Sequence, residues 1–157
     1  MPLVDLTTEI YSAIDICFDL SRRIDLHKIS TAKTNEVAIG GKTEGLIGLN
    51  EFVTWEASHF GVRQKLTTKV TSYSRPYHFR DEQVRGIFKV IKHDHYFSAL
   101  ENRIIMTDKF FFESPGGVFG RVFNRAILTR YLRNLLLERN QVIKAFAESE
   151  KWKAILQ

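Results

Sequence analysis

Two histidines and an aspartate form the combination in this sequence best suited to chemistry. His93 and His95 stand two residues apart in an alternating segment, so a β-strand would place both side chains on one face. The next such segment carries Asp108, and a hairpin turning at Glu101-Asn102 brings it opposite His95. A carboxylate beside an imidazole orients the ring and favours protonation, which suits acid–base catalysis. His95 and Asp108 are therefore candidate catalytic residues, although a structural hydrogen bond inside the core is the favoured interpretation.

His93, His95 and Asp108 together also offer three possible metal ligands. Histidines that alternate along any strand provide this spacing, and no second carboxylate that would orient the rings is evident in the sequence. We therefore predict no bound metal and no cofactor.

Arg139 is the only charged residue on the apolar stripe of the C-terminal helical segment. Three arrangements are open to its guanidinium: it extends to the helix edge, it pairs with an inward carboxylate such as Asp108, or it meets the anionic head group of a ligand. Inward-facing polar and aromatic residues complete a predicted pocket wall. The predicted ligand-binding residues are Trp55, Gln64, Thr68, Phe88, His93, His95, Asp108, Phe110, Phe112 and Arg139.

Composition limits the class of protein that positions these residues. The chain has 157 residues, 44% hydrophobic and 26% charged, so we assign residues 1–157 to one globular domain. Twelve phenylalanines supply rings for a core and for a pocket wall. We expect neither a membrane span nor a secretion signal. The single cysteine, Cys17, cannot form an internal disulfide, so we expect a small buried thiol in a reducing, cytoplasmic compartment.

Positive charge is concentrated in the last third of the chain. The net charge is +5, and most of it arises between Val118 and Glu148. No helix-turn-helix, zinc-finger or basic-aromatic motif accompanies this charge, so we expect no nucleic-acid partner. We expect a solvated helix face, with weak contact to an anionic surface as the alternative. The basic residues are Arg121, Arg125, Arg130, Arg133, Arg139 and Lys144.

The first third of the chain predicts one strand, two short helices and a glycine-rich connection. Leu3–Ile10 alternates as a strand, helices follow at Ser12–Leu20 and Ser21–Lys28, and Val37–Ile39 is a short strand. A phosphate-binding loop is excluded because Glu36 stands where that motif needs glycine, so the glycines belong to turns and bulges. These glycines are Gly40, Gly41, Gly45 and Gly48.

The middle of the chain predicts a second hairpin, upstream of the one that carries His95. Its strands are Glu51–Ser58 and Val62–Tyr73, with the turn at Phe60-Gly61. This register places apolar residues on one face and pairs Glu56 with Lys65 on the other.

Between the two hairpins the pattern is less regular. A strand is predicted at Tyr77–Arg80. Val84, Phe88 and Val90 have the opposite parity to the inward residues that follow, so a bulge near Val90–Lys92 would bring both sets to one face.

Residues Val118–Ala147 predict helix, but the apolar stripe changes sides along the segment. We therefore predict a break or bend near Ile127–Arg130, with the second piece as the long core helix. The first stripe is Val118, Phe119, Val122, Phe123 and Ala126. The second stripe is Leu128, Leu132, Leu135, Leu136, Ile143 and Phe146.

These elements predict an α+β fold: a curved antiparallel sheet of six to seven strands wrapped around a long C-terminal helix, with two short helices after the first strand. Several segments also carry a likeness to known proteins: Phe18-Asp19-Leu20-Ser21, Gly45-Leu46-Ile47-Gly48, Val53-Thr54-Trp55-Glu56-Ala57, His59-Phe60-Gly61, Phe88 with His93-Asp94-His95, Thr107-Asp108 and Ser114-Pro115-Gly116-Gly117. With them the chain resembles the SRPBCC superfamily of START-like, helix-grip proteins, which includes polyketide cyclase-like and birch-pollen-allergen-like members.

The resemblance implies a cavity that binds apolar or amphipathic ligands, and it implies no shared catalytic motif. We therefore predict binding of a small hydrophobic or amphipathic molecule between the sheet and the C-terminal helix. The alternative is a polyketide cyclase/dehydratase-like enzyme in which His95 and Asp108 act as an acid–base pair. A third hypothesis is partner binding through the basic helix.

Overall fold

The computed structural model describes residues 2–118 and 127–157 of the chain. The strands are β1 (Leu3–Ile10), β2 (Val37–Gly41), β3 (Phe52–His59), β4 (Val62–Ser74), β5 (His78–Arg85), β6 (Val90–Leu100) and β7 (Arg103–Glu113). The helices are α1 (Ile14–Ser21), α2 (Ile24–Ser30), a short 3-10 turn (Ala32–Thr34), α3 (Thr129–Ala147) and α4 (Lys151–Leu156).

The seven strands form one antiparallel sheet in the order β1-β7-β6-β5-β4-β3-β2. Helix α3 packs against β1 and against both short helices, which gives the predicted helix-on-sheet arrangement. Both α1 and α2 begin two to three residues later than predicted, and the bulge in β2 lies at the expected glycines, between Ala38 and Gly40.

Both hairpins have the predicted register. Trp55 pairs with Leu66 across β3 and β4, and His95 pairs with Asp108 across β6 and β7. Positive φ angles of 52° at Phe60 and 76° at Gly61 fit the two-residue turn that matches strand twist. The alternation of apolar and polar faces therefore fixes the register of both ribbons.

Strand β5 differs from its prediction. The sequence predicts a strand at Tyr77–Arg80, whereas β5 begins one residue later and continues to Arg85. Its pairing with β4 shifts register twice, which bends these strands. The longer strand places Asp81 opposite His93.

The bulge predicted near Val90–Lys92 is wrong. Strands β6 and β7 pair without a register shift along the whole length of β6. Of the apolar residues of opposite parity, Val84 is exposed in β5, Phe88 lies in the connection after it, and Val90 begins β6 in regular register opposite Glu113.

Helix α3 begins at Thr129, in the region where the sequence predicts a break. Most of the first predicted stripe lies outside the described residues. Of its five members only Val118 is described, and the other four are Phe119, Val122, Phe123 and Ala126. The buried positions of α3 are spaced by three or four residues, as expected for one face of a helix. They are Leu136, Arg139, Asn140, Ile143 and Ala147. No helix in the described ranges is both long and apolar enough to cross a membrane.

The core consists of two apolar clusters separated by a polar layer. In one cluster the Phe18 ring packs edge-on against Tyr73, Phe79 and Phe97 at centroid distances of 5.3–5.5 Å. Such pairs contribute about 0.5–1.5 kcal/mol each beyond their area burial. The other cluster is built from Val4, Leu6, Ile91, Phe112, Leu128 and Leu136.

Cys17 in α1 is fully buried, and burial raises the pKa of its thiol to about 12. Because the thiolate is the reactive form, we expect no reaction with a disulfide reagent such as DTNB at about pH 8 while the protein is folded. Urea should release one reactive thiol per chain along the unfolding transition. Prompt reaction without urea would show that α1 does not pack as described.

Candidate functional site

A cavity of about 170 Å³ lies between the inner face of the sheet and helices α2 and α3. Most of its wall is apolar, and polar side chains from β5, β6 and α3 are grouped on one part of the wall. The apolar wall residues are Ile24, Ile47, Val53, Trp55, Leu66, Phe79, Ile91, Phe110 and Leu136.

The structure distributes the predicted binding residues over three places. Gln64 and Phe88 line a separate space of about 50 Å³ that Trp55 also borders. Phe112 is fully buried in the core, and Asp108 is fully buried behind the two histidines. The six that line the main cavity are Trp55, Thr68, His93, His95, Phe110 and Arg139.

Asp108 is the centre of the polar layer. Its Oδ1 accepts a hydrogen bond from His93 Nε2 at 2.8 Å and lies 3.3 Å from His95 Nδ1 and 3.4 Å from Arg139 Nη1. Its Oδ2 accepts a hydrogen bond from Asn140 Nδ2 at 2.7 Å. Burial alone would raise the pKa of Asp108, but the interactions with His93 and His95 and the charge of Arg139 hold that pKa well below its usual value. Asp108 is therefore ionised at neutral pH.

Asp81 is the site residue that sequence reasoning missed. Its Oδ2 accepts a hydrogen bond from His95 Nε2 at 2.9 Å, and its carboxylate lines the cavity. Burial acts to raise the pKa of Asp81, but the hydrogen bond from His95 and nearby positive charge lower it overall. Continuing the alternation one residue beyond Arg80 would have identified Asp81, because it shares the parity of the buried Phe79.

His93 is neutral at pH 7. Burial is the largest effect on its imidazole, and with the charge of His95 it lowers the pKa of His93 to about 4 against the opposing effect of Asp108. Because ionised Asp108 only accepts, the single ring hydrogen of His93 lies on Nε2 and the lone pair on Nδ1.

His95 lies between two carboxylates and between two rings. Its ring stacks on Phe79 at 4.0 Å between centroids, and it lies at a tilt of 33° against the His93 ring at 3.8 Å. A hydrogen on Nε2 is donated to Asp81 and leaves Nδ1 to accept from Arg139 Nη2 at 3.4 Å. A hydrogen on Nδ1 would instead face Asp108 Oδ1, 3.3 Å away. His95 can therefore hold its proton on either nitrogen, and a carboxylate lies beside each of them.

Sequence comparison finds no matching family model and no matching curated protein. Solved structures do match. Major latex-like protein 151 from Panax ginseng has a TM-score of 0.69 at 16% identity, covering 94% of this chain and 98% of that chain. A START superfamily protein from Mycobacterium smegmatis has a TM-score of 0.68 at 10% identity, covering 93% and 97%. The chain has the START-like helix-grip fold.

A third match comes from a larger helix-grip protein. The di-domain ARO/CYC StfQ of the steffimycin biosynthetic pathway has a TM-score of 0.70 at 12% identity, covering 93% of this chain and 51% of that chain. At these identities the likeness concerns the fold, and it confirms the α+β, helix-grip arrangement that the SRPBCC resemblance implied.

Arg139 in this helix-grip domain pairs with the inward carboxylate of Asp108, the second of the three arrangements predicted for it. Its guanidinium is buried, 3.4 Å from Asp108, and does not extend to the helix edge. It also donates to Asn140 Oδ1 at 2.9 Å and to the carbonyl oxygen of Ser21 at 3.2 Å. The basic face of α3 is therefore smaller than predicted, since Arg139 belongs to the interior.

A second polar pair lines the helix-grip cavity away from the histidine cluster. His27 Nε2 hydrogen-bonds Glu36 Oε1 at 2.9 Å, and the His27 ring lies 4.5 Å from that of Trp55. Burial acts to raise the pKa of Glu36, but the charge and hydrogen bond of His27 lower it overall. The cavity thus combines apolar walls with these two sets of polar groups and with Ser21, Arg22, Arg23 and Thr68.

Proposed function

We propose that this protein binds a small amphipathic molecule, about the size of one ring, in the cavity between the sheet and α3. The observation that carries the proposal is a mainly apolar cavity wall that includes a cluster of hydrogen-bonding groups. Binding sites for small molecules commonly combine these two features, because apolar contact supplies affinity and a few polar groups fix orientation.

Cavity size sets the class of ligand. An apolar cavity of about 150 Å³ holds a benzene molecule, and this cavity measures about 170 Å³. The ring of the ligand would pack against Trp55, Leu66 and Ile91. Its polar group would face Asp81 and His93, whose carboxylate and Nδ1 both accept hydrogen bonds. Phenols and hydroxylated one-ring ketones have the matching chemistry.

The test is a thermal-shift panel of one-, two- and three-ring compounds, measured with a metal chelator present. A one-ring phenol or hydroxylated ketone at about 100 times its Kd should stabilise the protein by about 2.7 kcal/mol. For a domain of this size that corresponds to a rise in Tm of roughly 5–10 °C. Unsubstituted rings should bind more weakly. Absence of stabilisation across the whole panel would contradict the proposal.

A second candidate function is acid–base catalysis of the cyclase or dehydratase class. The observation that favours it is His95, held between Asp81 and Asp108 and lining the cavity. The ARO/CYC name of one structural neighbour agrees with this chemistry.

Proton transfer can be measured without knowing the natural substrate. In D₂O the protein should accelerate exchange of the α-hydrogens of a bound cyclic ketone by about 10²–10⁴-fold, followed by NMR. His95→Gln should abolish the acceleration while keeping the fold. His78→Gln is the matched control, because His78 also hydrogen-bonds a buried carboxylate, Asp94 Oδ1, at 2.7 Å. Equal exchange rates for the wild type and His95→Gln would exclude His95 as the acid–base group.

A further inference from the structure

We propose that Asp81, His93 and His95 bind a divalent first-row transition-metal ion, with Asp108 orienting both histidines. This is a different ligand set from the one that the sequence suggested, because Asp108 lies behind the rings and Asp81 takes its place. The proposal does not depend on the identity of any organic ligand.

Distances within the cluster suit a metal. One ligand atom from each of Asp81, His93 and His95 lies within 4.8 Å of the others. Asp81 Oδ2 and His95 Nε2 are 2.9 Å apart. Two ligand atoms bonded at about 2.1 Å to one ion, with an angle of about 90°, have this separation. Two ligand atoms at this bonding distance from one ion are at most about 4.2 Å apart, so a pair as far apart as 4.8 Å would have to approach by about 0.6 Å on binding.

Asp108 supplies the support that a histidine ligand needs. It accepts the Nε2 hydrogen of His93 at 2.8 Å and lies 3.3 Å from His95 Nδ1. A ring hydrogen held by a carboxylate leaves the other nitrogen of each imidazole, His93 Nδ1 and His95 Nε2, as the donor to a metal. Metal at His95 would replace the hydrogen that Nε2 shares with Asp81 and favour the hydrogen on Nδ1. One buried carboxylate would thus orient both histidine ligands.

Charge also favours a cation. Asp81, Asp108 and Arg139 carry one net negative charge when both histidines are neutral. A divalent ion would reverse this to one net positive charge, which suits an anionic or water ligand supplied from the cavity. Two histidines and one carboxylate with an open side are the donor set of iron(II), cobalt(II) and zinc sites that keep free coordination positions.

The other His–carboxylate pairs in the described residues do not combine two histidines with a carboxylate. His27 with Glu36 and His78 with Asp94 each provide one histidine. Within residues 2–118 and 127–157, Asp81, His93 and His95 form the one group of three potential metal ligands.

The test uses tag-free, chelator-stripped protein titrated with Co²⁺, followed by visible absorption, calorimetry and proton NMR. We expect saturation at one ion per chain and two exchangeable, strongly shifted ring N–H resonances, one from each histidine. Asp81→Asn should lower the Co²⁺ affinity at least tenfold, because loss of a single group at a metal site typically weakens metal binding by that factor or more. His95→Gln should remove one shifted resonance. His78→Gln should change neither quantity.

Three outcomes would overturn the proposal: no saturable uptake, uptake that Asp81→Asn and His95→Gln leave unchanged, or uptake that His78→Gln reduces equally. Circular dichroism of each variant separates loss of the site from loss of the fold. Because the ligand panel contains a chelator, failure of the metal site and failure of ligand binding are distinguishable.

Discussion

Replacing Asp108 by asparagine is expected to lower the free energy of unfolding by about 3–5 kcal/mol, measured by urea denaturation. Asp108 is fully buried and Arg139 is 5% exposed, so the variant leaves a guanidinium inside the protein without its counter-charge. The asparagine amide also replaces one of the two acceptor oxygens of Asp108, of which Oδ1 bonds His93 and Oδ2 bonds Asn140. A buried charge without a partner is among the most destabilising single changes in a protein.

Asp94→Asn is the matched control on the neighbouring strand. Asp94 is also a buried carboxylate, but the side chains of its partners Arg80 and His78 remain 36% and 21% exposed and can be solvated. We expect a smaller loss, about 1–2 kcal/mol. Adding Arg139→Met to Asp108→Asn should recover part of the larger loss, because the unpaired charge is removed. Equal losses for the two single variants would contradict a polar layer centred on Asp108.

Thr68→Phe is expected to abolish binding of one-ring ligands. Thr68 lies on the inner face of β4 and lines the cavity, so a phenylalanine ring would occupy the volume that a ligand needs. We expect the ligand affinity to fall at least tenfold, about 1.4 kcal/mol or more. The unfolding free energy should change by less than about 1 kcal/mol, because the new ring fills existing space instead of compressing packed side chains.

Thr67→Phe is the control for this change. Thr67 precedes Thr68 on the same strand but faces the outer side of the sheet, where its hydroxyl hydrogen-bonds that of Thr54 at 2.8 Å. Calorimetric titration of both variants with the best compound of the panel should show binding only in Thr67→Phe. Unchanged affinity in Thr68→Phe would mean that the ligand binds elsewhere.

Backbone register was predictable from the sequence because local rules determine it. Apolar and polar residues alternate along both hairpins, and a one-residue slip would bury Lys65 and Lys69. Positive φ angles occur where the strands reverse, at Phe60-Gly61 and Glu101, and of these residues only Gly61 adopts such an angle without steric cost. The pairing of His95 with Asp108 followed from the same rules.

Hydrogen bonding within the site was less predictable, because it depends on side-chain direction and on a third strand. Asp108 pairs with His95 in the backbone register, yet its shortest contact with a histidine is the diagonal one to His93 at 2.8 Å. The short His95 partner, Asp81, belongs to β5, whose inward residues are partly polar and leave a weak alternating pattern. Arg139 did signal the polar layer, since a charge on an apolar helix face needs a buried partner.

The binding site can be located directly by NMR. The spectrum detects contacts between isotope-labelled protein and the best unlabelled one-ring ligand, and it is recorded with a chelator present. We expect cross-peaks from the ligand ring to Trp55 and Ile91 and from its polar end to the His93 ring. Cross-peaks confined to outer-face residues such as Phe52 and Thr67 would contradict binding in the cavity between the sheet and α3.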